Sequence, residues 1–102
     1  MKIINLTPHI INEVTTGTSY PLSGTIARVS SESEVVANIN GIDIYSVSFG
    51  EVEGLPESQP DTIYIVSGLV LSACHNRTDL LAPGELVRDI NGNPIGCKGF
   101  RK

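Results

Sequence analysis

The segment Glu34–Val47 constrains this chain more than any other stretch. Two alternating runs rich in β-branched residues flank Asn40-Gly41, and an Asn-Gly pair favours the positive φ angles of a type I′ turn. A hairpin is therefore expected there, and a chain organised through strands. Asn91-Gly92, between Glu85–Ile90 and Pro94–Phe100, repeats the signal and predicts a second hairpin.

The remaining segments are short. Lys2–Leu6 reads as a first strand, stopped by Thr7-Pro8 because proline removes a ladder donor and restricts its neighbour. Ile10–Val14 resumes an extended pattern and Thr15–Thr18 turns it. Pro21 and Ser23-Gly24 break the chain before a strand at Thr25–Ser30, where Ile26 and Arg28 share a face. Gly50–Asp61 holds four acids, two prolines and two glycines, and reads as an acidic surface loop. Thr62–Val66 is a continuous apolar run, as in a strand covered on both faces. Ser67 then caps a helix over Gly68–His75 whose Leu69, Val70, Leu71 and Ala73 are apolar nearly all round, so deep packing is expected. The sum is seven or eight short strands and one short helix. The expected fold is mainly β, a small barrel or sandwich of short, mostly antiparallel strands, in one domain over residues 1–102.

Composition narrows the function. No apolar run approaches the roughly 20 residues needed to cross a bilayer, and the N-terminus lacks the features of a signal peptide. Cys74 and Cys97 are too few for a disulfide framework and read as reduced thiols, so a cytoplasmic location is expected. The net charge of −4 argues against broad nucleic-acid binding. It is unevenly spread: residues 1–61 balance at −6 and residues 62–102 at +2. A small anion would find its welcome in the C-terminal half.

Several polar groups invite both a functional and a structural reading. Asn5, Thr7 and His9 surround a rigid turn and would either line a pocket at a strand end or satisfy local backbone. Ser67, at the start of the helix, would either help hold an anion or simply cap. Arg77 and Asp79 flank the helix exit. Arg88 shares a face with Leu86 and Ile90 and so would point inward, where it needs Asp79, Glu51 or a ligand as partner. Asp89 follows it in the hairpin. Cys97 with His9 or His75 and Asp89 supplies the ingredients of a small hydrolase, without any motif that assembles them. Cys74, His75, Cys97 and His9 lack the ligand spacing of structural zinc. No cofactor or metal is expected, and catalysis ranks below binding.

One set of motifs spans nearly the whole chain. It comprises Ile4-Asn5-Leu6-Thr7-Pro8-His9, Ser23-Gly24-Thr25-Ile26-Ala27-Arg28-Val29, Gly54-Leu55-Pro56 and Tyr64-Ile65-Val66-Ser67. It continues with Arg77-Thr78-Asp79-Leu80-Leu81-Ala82-Pro83-Gly84, Leu86-Val87-Arg88-Asp89 and Ile95-Gly96-Cys97. In these the chain resembles a family of small proteins of unknown function from bacteriophages, prophages and bacterial genomes, notably actinobacterial ones. The resemblance implies a phage-type accessory protein in the bacterial cytoplasm that acts by binding. The expected ligand is a small nucleotide-derived anion, such as an ADP-ribose-type immune signal, sequestered against host defence. The residues that resemblance marks for it are Asn5, Thr7, His9, Arg28, Ser67, Arg77, Asp79, Arg88 and Asp89. The alternative is a protein-binding inhibitor or adaptor acting on a host defence protein through the acidic 51–61 loop or a strand edge. Self-association is expected in either case, because a small β domain has edges to protect.

Overall fold

A computed structural model describes residues 1–102. In chain order the strands are β1 (Lys2–Asn5), β2 (Ile11–Glu13), β3 (Thr18–Tyr20), β4 (Arg28–Ile39), β5 (Ile42–Glu53) and β6 (Thr62–Ile65). The helix α1 (Gly68–Ala73) follows, then β7 (Leu80–Arg88) and β8 (Pro94–Arg101). The fold is mainly β with one short helix, as expected. No helix is long and apolar enough to cross a membrane.

Six strands form one sheet in the order β1-β6-β7-β8-β2-β3. The pairs β1–β6, β6–β7 and β2–β8 are parallel, whereas β7–β8 and β2–β3 are antiparallel. The sheet curls until its two outer strands nearly meet, which makes it barrel-like. Asn5 at the end of β1 bridges to Leu22 just beyond β3. Its carbonyl accepts from the Ser23 hydroxyl at 2.6 Å, and its side-chain amide donates to the Tyr20 carbonyl at 3.0 Å.

The main core cluster joins the sheet to α1 and the base of the β4–β5 hairpin. Leu6, Tyr64, Val66, Val70 and Leu80 are each at most 2% exposed and pack as one cluster with Ala27 and Cys74. β6 lies between β1 and β7, so both its edges are paired, and Tyr64 and Ile65 are fully covered. α1 contributes less than its composition suggests. Val70 is its one buried residue and Leu69 is 54% exposed, because a single helix lying on one sheet can cover only one of its own sides.

The two remaining strands form an arm. β4 and β5 pair only with each other, through Asn40 (φ 52°) and Gly41 (φ 82°), the positive angles of a type I′ turn. The hairpin is longer than its sequence signal. The extended segment at Thr25–Ser30 is not a strand of its own: β4 starts at Arg28 and runs unbroken to Ile39. β5 likewise absorbs Gly50–Glu53 from the expected acidic loop. Serines 30, 31 and 33 break the apolar alternation without stopping the strand, since cross-strand hydrogen bonds need only backbone. The arm gives a radius of gyration of 16.4 Å, against about 13 Å for a compact chain of this length.

Candidate functional site

The hydrogen bonds of the Asn5–His9 turn close on themselves. The Asn5 carboxamide oxygen accepts from the Thr7 amide at 2.9 Å and the Thr7 hydroxyl at 2.7 Å. Its nitrogen donates to the His9 carbonyl at 2.7 Å as well as to Tyr20. Both side chains are buried; Asn5 reaches across the barrel seam to Tyr20, whereas Thr7 bonds within the turn. His9 itself is exposed and lines an apolar groove of about 470 Å³ with Ile10, Leu86, Pro94, Ile95 and Cys97.

The arginines fall out differently from expectation. Arg88 does not point inward. It is exposed, as are Leu86 on its strand and Ile90 in the turn beyond, and its Nη1 donates to the Gly92 carbonyl at 2.8 Å. The residues around Arg88, Leu86 and Asp89 through Ile95, are all exposed, so this end of the β7–β8 hairpin has no cover for an inward side chain. Asp89 organises the same turn, its Oδ1 accepting from the Asn91 and Asn93 amides at 2.9 Å each. Arg28 is exposed at the base of the arm, without an ion pair.

Arg77 and Asp79 form a two-point ion pair at the helix exit, with Nε–Oδ1 and Nη2–Oδ2 both at 2.7 Å. Arg77 Nη2 also donates to the Pro56 carbonyl at 3.1 Å, tying the exit turn to the acidic loop. The Arg77 bonds hold the Asp79 carboxyl below its ordinary range, and the carboxylate holds the guanidinium above its own. Ser67 is the expected cap: its Oγ accepts from the Val70 amide at 3.3 Å.

This corner of the fold holds a polar cleft. Arg77, Thr78 and His75 from the turn after α1 and Ser72 on the helix face Arg101 and Lys102 at the end of β8, around a space of about 400 Å³. Gly68 lets the Arg101 guanidinium close in, for a Cβ there would sit 2.6 Å from Nη2. No acidic side chain lines the cleft, and neither Arg101 nor Lys102 makes an ion pair. Of the residues expected to bind a ligand, only Arg77 lines this space. Arg101, Lys102 and His75 were not marked, although Arg101 and Lys102 belong to the basic excess of residues 62–102.

The ingredients of a hydrolase are spread out. His75 sits in the cationic cleft, Cys97 and His9 line the apolar groove, and Asp89 is committed to its turn. No three His, Cys, Asp or Glu side chains gather as they would around a metal ion.

A buried carboxylate lies elsewhere. Glu13 on β2 is 5% exposed and is held by the amides of Thr15 (3.1 Å), Thr16 (2.8 Å) and Gly99 (2.8 Å), besides both threonine hydroxyls. These bonds, Gly99 foremost and then Thr15, hold its carboxyl down to about 2. An acid followed by Thr15-Thr16-Gly17 was the available signal, since turn amides seek such an acceptor.

Comparison with protein-family models, with curated proteins and with solved structures gave no match.

Proposed function

We propose that the protein is a non-catalytic binding protein that captures a small nucleotide-type anion in the cleft of Arg101, Lys102 and His75. The observation that carries this reading is a concave space lined by basic groups and hydroxyls, in which Arg101 and Lys102 have no acid to neutralise them. Its volume falls within the roughly 300–1,000 Å³ of small-molecule sites. Guanidinium matches phosphate oxygens in a two-point fashion, and the hydroxyls of Ser72 and Thr78 suit phosphate or ribose. Arg77, already neutralised by Asp79, shapes the cleft more than it adds charge.

An ADP-ribose-type signal is the ligand we put forward, since it offers two phosphates and ribose hydroxyls together. Held and not turned over, it would be kept from a host defence effector, which fits the phage-type resemblance. Calorimetric titration with ADP-ribose tests the reading. Binding in the wild type and a loss of about tenfold or more in Arg101→Ala support it, that being what one charge-assisted contact is worth. Equal affinity in both proteins sinks it.

A second reading, association with a protein through a strand edge, draws support from the unpaired outer edges of β4 and β5. On that reading charge reversal at Glu53 and Glu57 abolishes partner capture and leaves the anion cleft intact.

A further inference from the structure

Of the chain's seven asparagines, only Asn40 and Asn91 are followed by glycine. That succession matters for chemistry as well as for turn formation. The backbone amide after an asparagine can attack the side-chain carbonyl carbon. Glycine, with no Cβ, leaves that amide open to approach. Asparagine is accordingly among the thermolabile residues. Other positions are closed to the reaction for visible reasons. Asn93 precedes Pro94, whose nitrogen has no proton to release. Asn5 is buried, with both ends of its carboxamide hydrogen-bonded.

Both Asn-Gly pairs are exposed, but the two turns are held differently. The Asn91 turn is pinned. The Gly92 amide donates to the Asp89 carbonyl at 3.0 Å, and the Gly92 carbonyl accepts from Arg88 Nη1 at 2.8 Å. Asp89 Oδ1 accepts from the amides of Asn91 and Asn93, on either side of Gly92. That carboxylate opposes the negative charge an attacking Gly92 nitrogen would develop. The Asn40 turn is looser. Its Gly41 amide has one partner, the Asn38 carboxamide oxygen at 3.1 Å, on a side chain that is itself exposed. Asp43 stands across this turn with its Oδ1 accepting from Asn38 Nδ2 at 2.8 Å, which holds it on Asn38.

We propose that Asn40 is a site of spontaneous covalent modification, in which its carboxamide becomes a carboxylate at the tip of the arm. The bond from the Gly41 nitrogen to Asn40 Cγ forms and the Cγ–Nδ2 bond breaks. Nδ2 leaves as ammonia, taking the Gly41 amide proton. Water, the one co-reactant, then opens the cyclic imide, and neither oxidant nor reductant takes part. Opening at Cγ gives aspartate. Opening at the Asn40 main-chain carbonyl gives isoaspartate, whose backbone runs through the former side chain. Either product adds a sixth acid to the one arginine and five acids of residues 28–53. Isoaspartate also lengthens the two-residue turn that sets Ile39 opposite Ile42. The reaction stands apart from the anion reading, because it needs no ligand.

Peptide mapping by mass spectrometry, on folded protein kept in mildly alkaline buffer at physiological temperature, tests it. The peptide holding Asn40 is expected to gain the mass of an amide-to-acid exchange, divided between aspartate and isoaspartate. Asn91 in the same sample is expected to convert about fivefold or more slowly, the weight of one additional hydrogen bond on its turn. In denaturant the two rates are expected to converge. Asn40→Gln is expected to abolish the change, which assigns it to this residue and not to Asn38. An arm peptide that keeps its mass while the denatured control converts would overturn the proposal. So would Asn91 reacting as fast as Asn40 in the folded protein, or a mass gain that survives in Asn40→Gln.

Discussion

The Glu13 carboxylate accepts a hydrogen bond from the Gly99 amide at 2.8 Å, although 86 residues separate the two in the chain. The bond fastens β2 and its turn to β8, where strand pairing itself is thin, with a single register pair between Glu13 and Cys97. Holding Glu13 at about 2, against its ordinary 4.5, makes the native state the weaker proton binder. Its contribution is therefore complete above about pH 4.5 and is lost as pH falls toward 2. Thermal melts across that window should show falling stability in the wild type. Glu13→Gln should melt lower at neutral pH and lose most of the slope, leaving the share that Asp79 contributes through Arg77. An unchanged slope in Glu13→Gln would remove the carboxylate from this role.

Asn5 closes the barrel seam. Asn5→Ala strands the carbonyls of His9 and Tyr20 and the Thr7 amide, and should cost about 2–3 kcal/mol, or roughly 10–20 °C of Tm. His9→Ala, an exposed position, should change stability by no more than about 0.5 kcal/mol. Denaturant unfolding of the two variants checks the contrast.

Gly54 ends the arm with φ +77°, and a Cβ there would collide with the Ile26 carbonyl. Gly54→Ala should cost about 3 kcal/mol or more, combining left-handed strain with a backbone clash. A melting curve matching wild type would contradict this placement.

Much of this architecture was legible in the chain. Asn40-Gly41 and Asn91-Gly92 announced both hairpins, Ser67 its cap, and Thr62–Val66 a strand covered on both sides. Long-range pairing was not legible: nothing in β1, β6 or β7 states that they lie parallel, because periodicity reports faces and not neighbours. Nor does alternation in β4 and β5 say what covers the apolar face, so the arm could not be told from a sheet hairpin. The candidate site suffered for the same reason. Arg88 looked inward because Leu86 and Ile90 are apolar, yet both are exposed. Arg101 and Lys102 looked like ordinary solvated charge until β8 brought them to the helix exit.

Gly68→Ala separates position from fold. The crowding atom is the end of a flexible arginine, which can swing aside, so stability should hold within about 1 kcal/mol. Anion affinity should nonetheless fall by about threefold to tenfold as Arg101 is displaced. Titration calorimetry beside a melting curve reads both, and unaltered affinity would exclude Arg101 as a ligand contact.

Native mass spectrometry of the protein with ADP-ribose, followed by denaturation and analysis of the released molecule, tests capture without turnover most directly. The account predicts one ligand per chain, returned at its original mass, and no complex in the Arg101→Ala, Lys102→Ala double variant. A protein that stays empty, binds equally well without those two side chains, or releases an altered mass would contradict it.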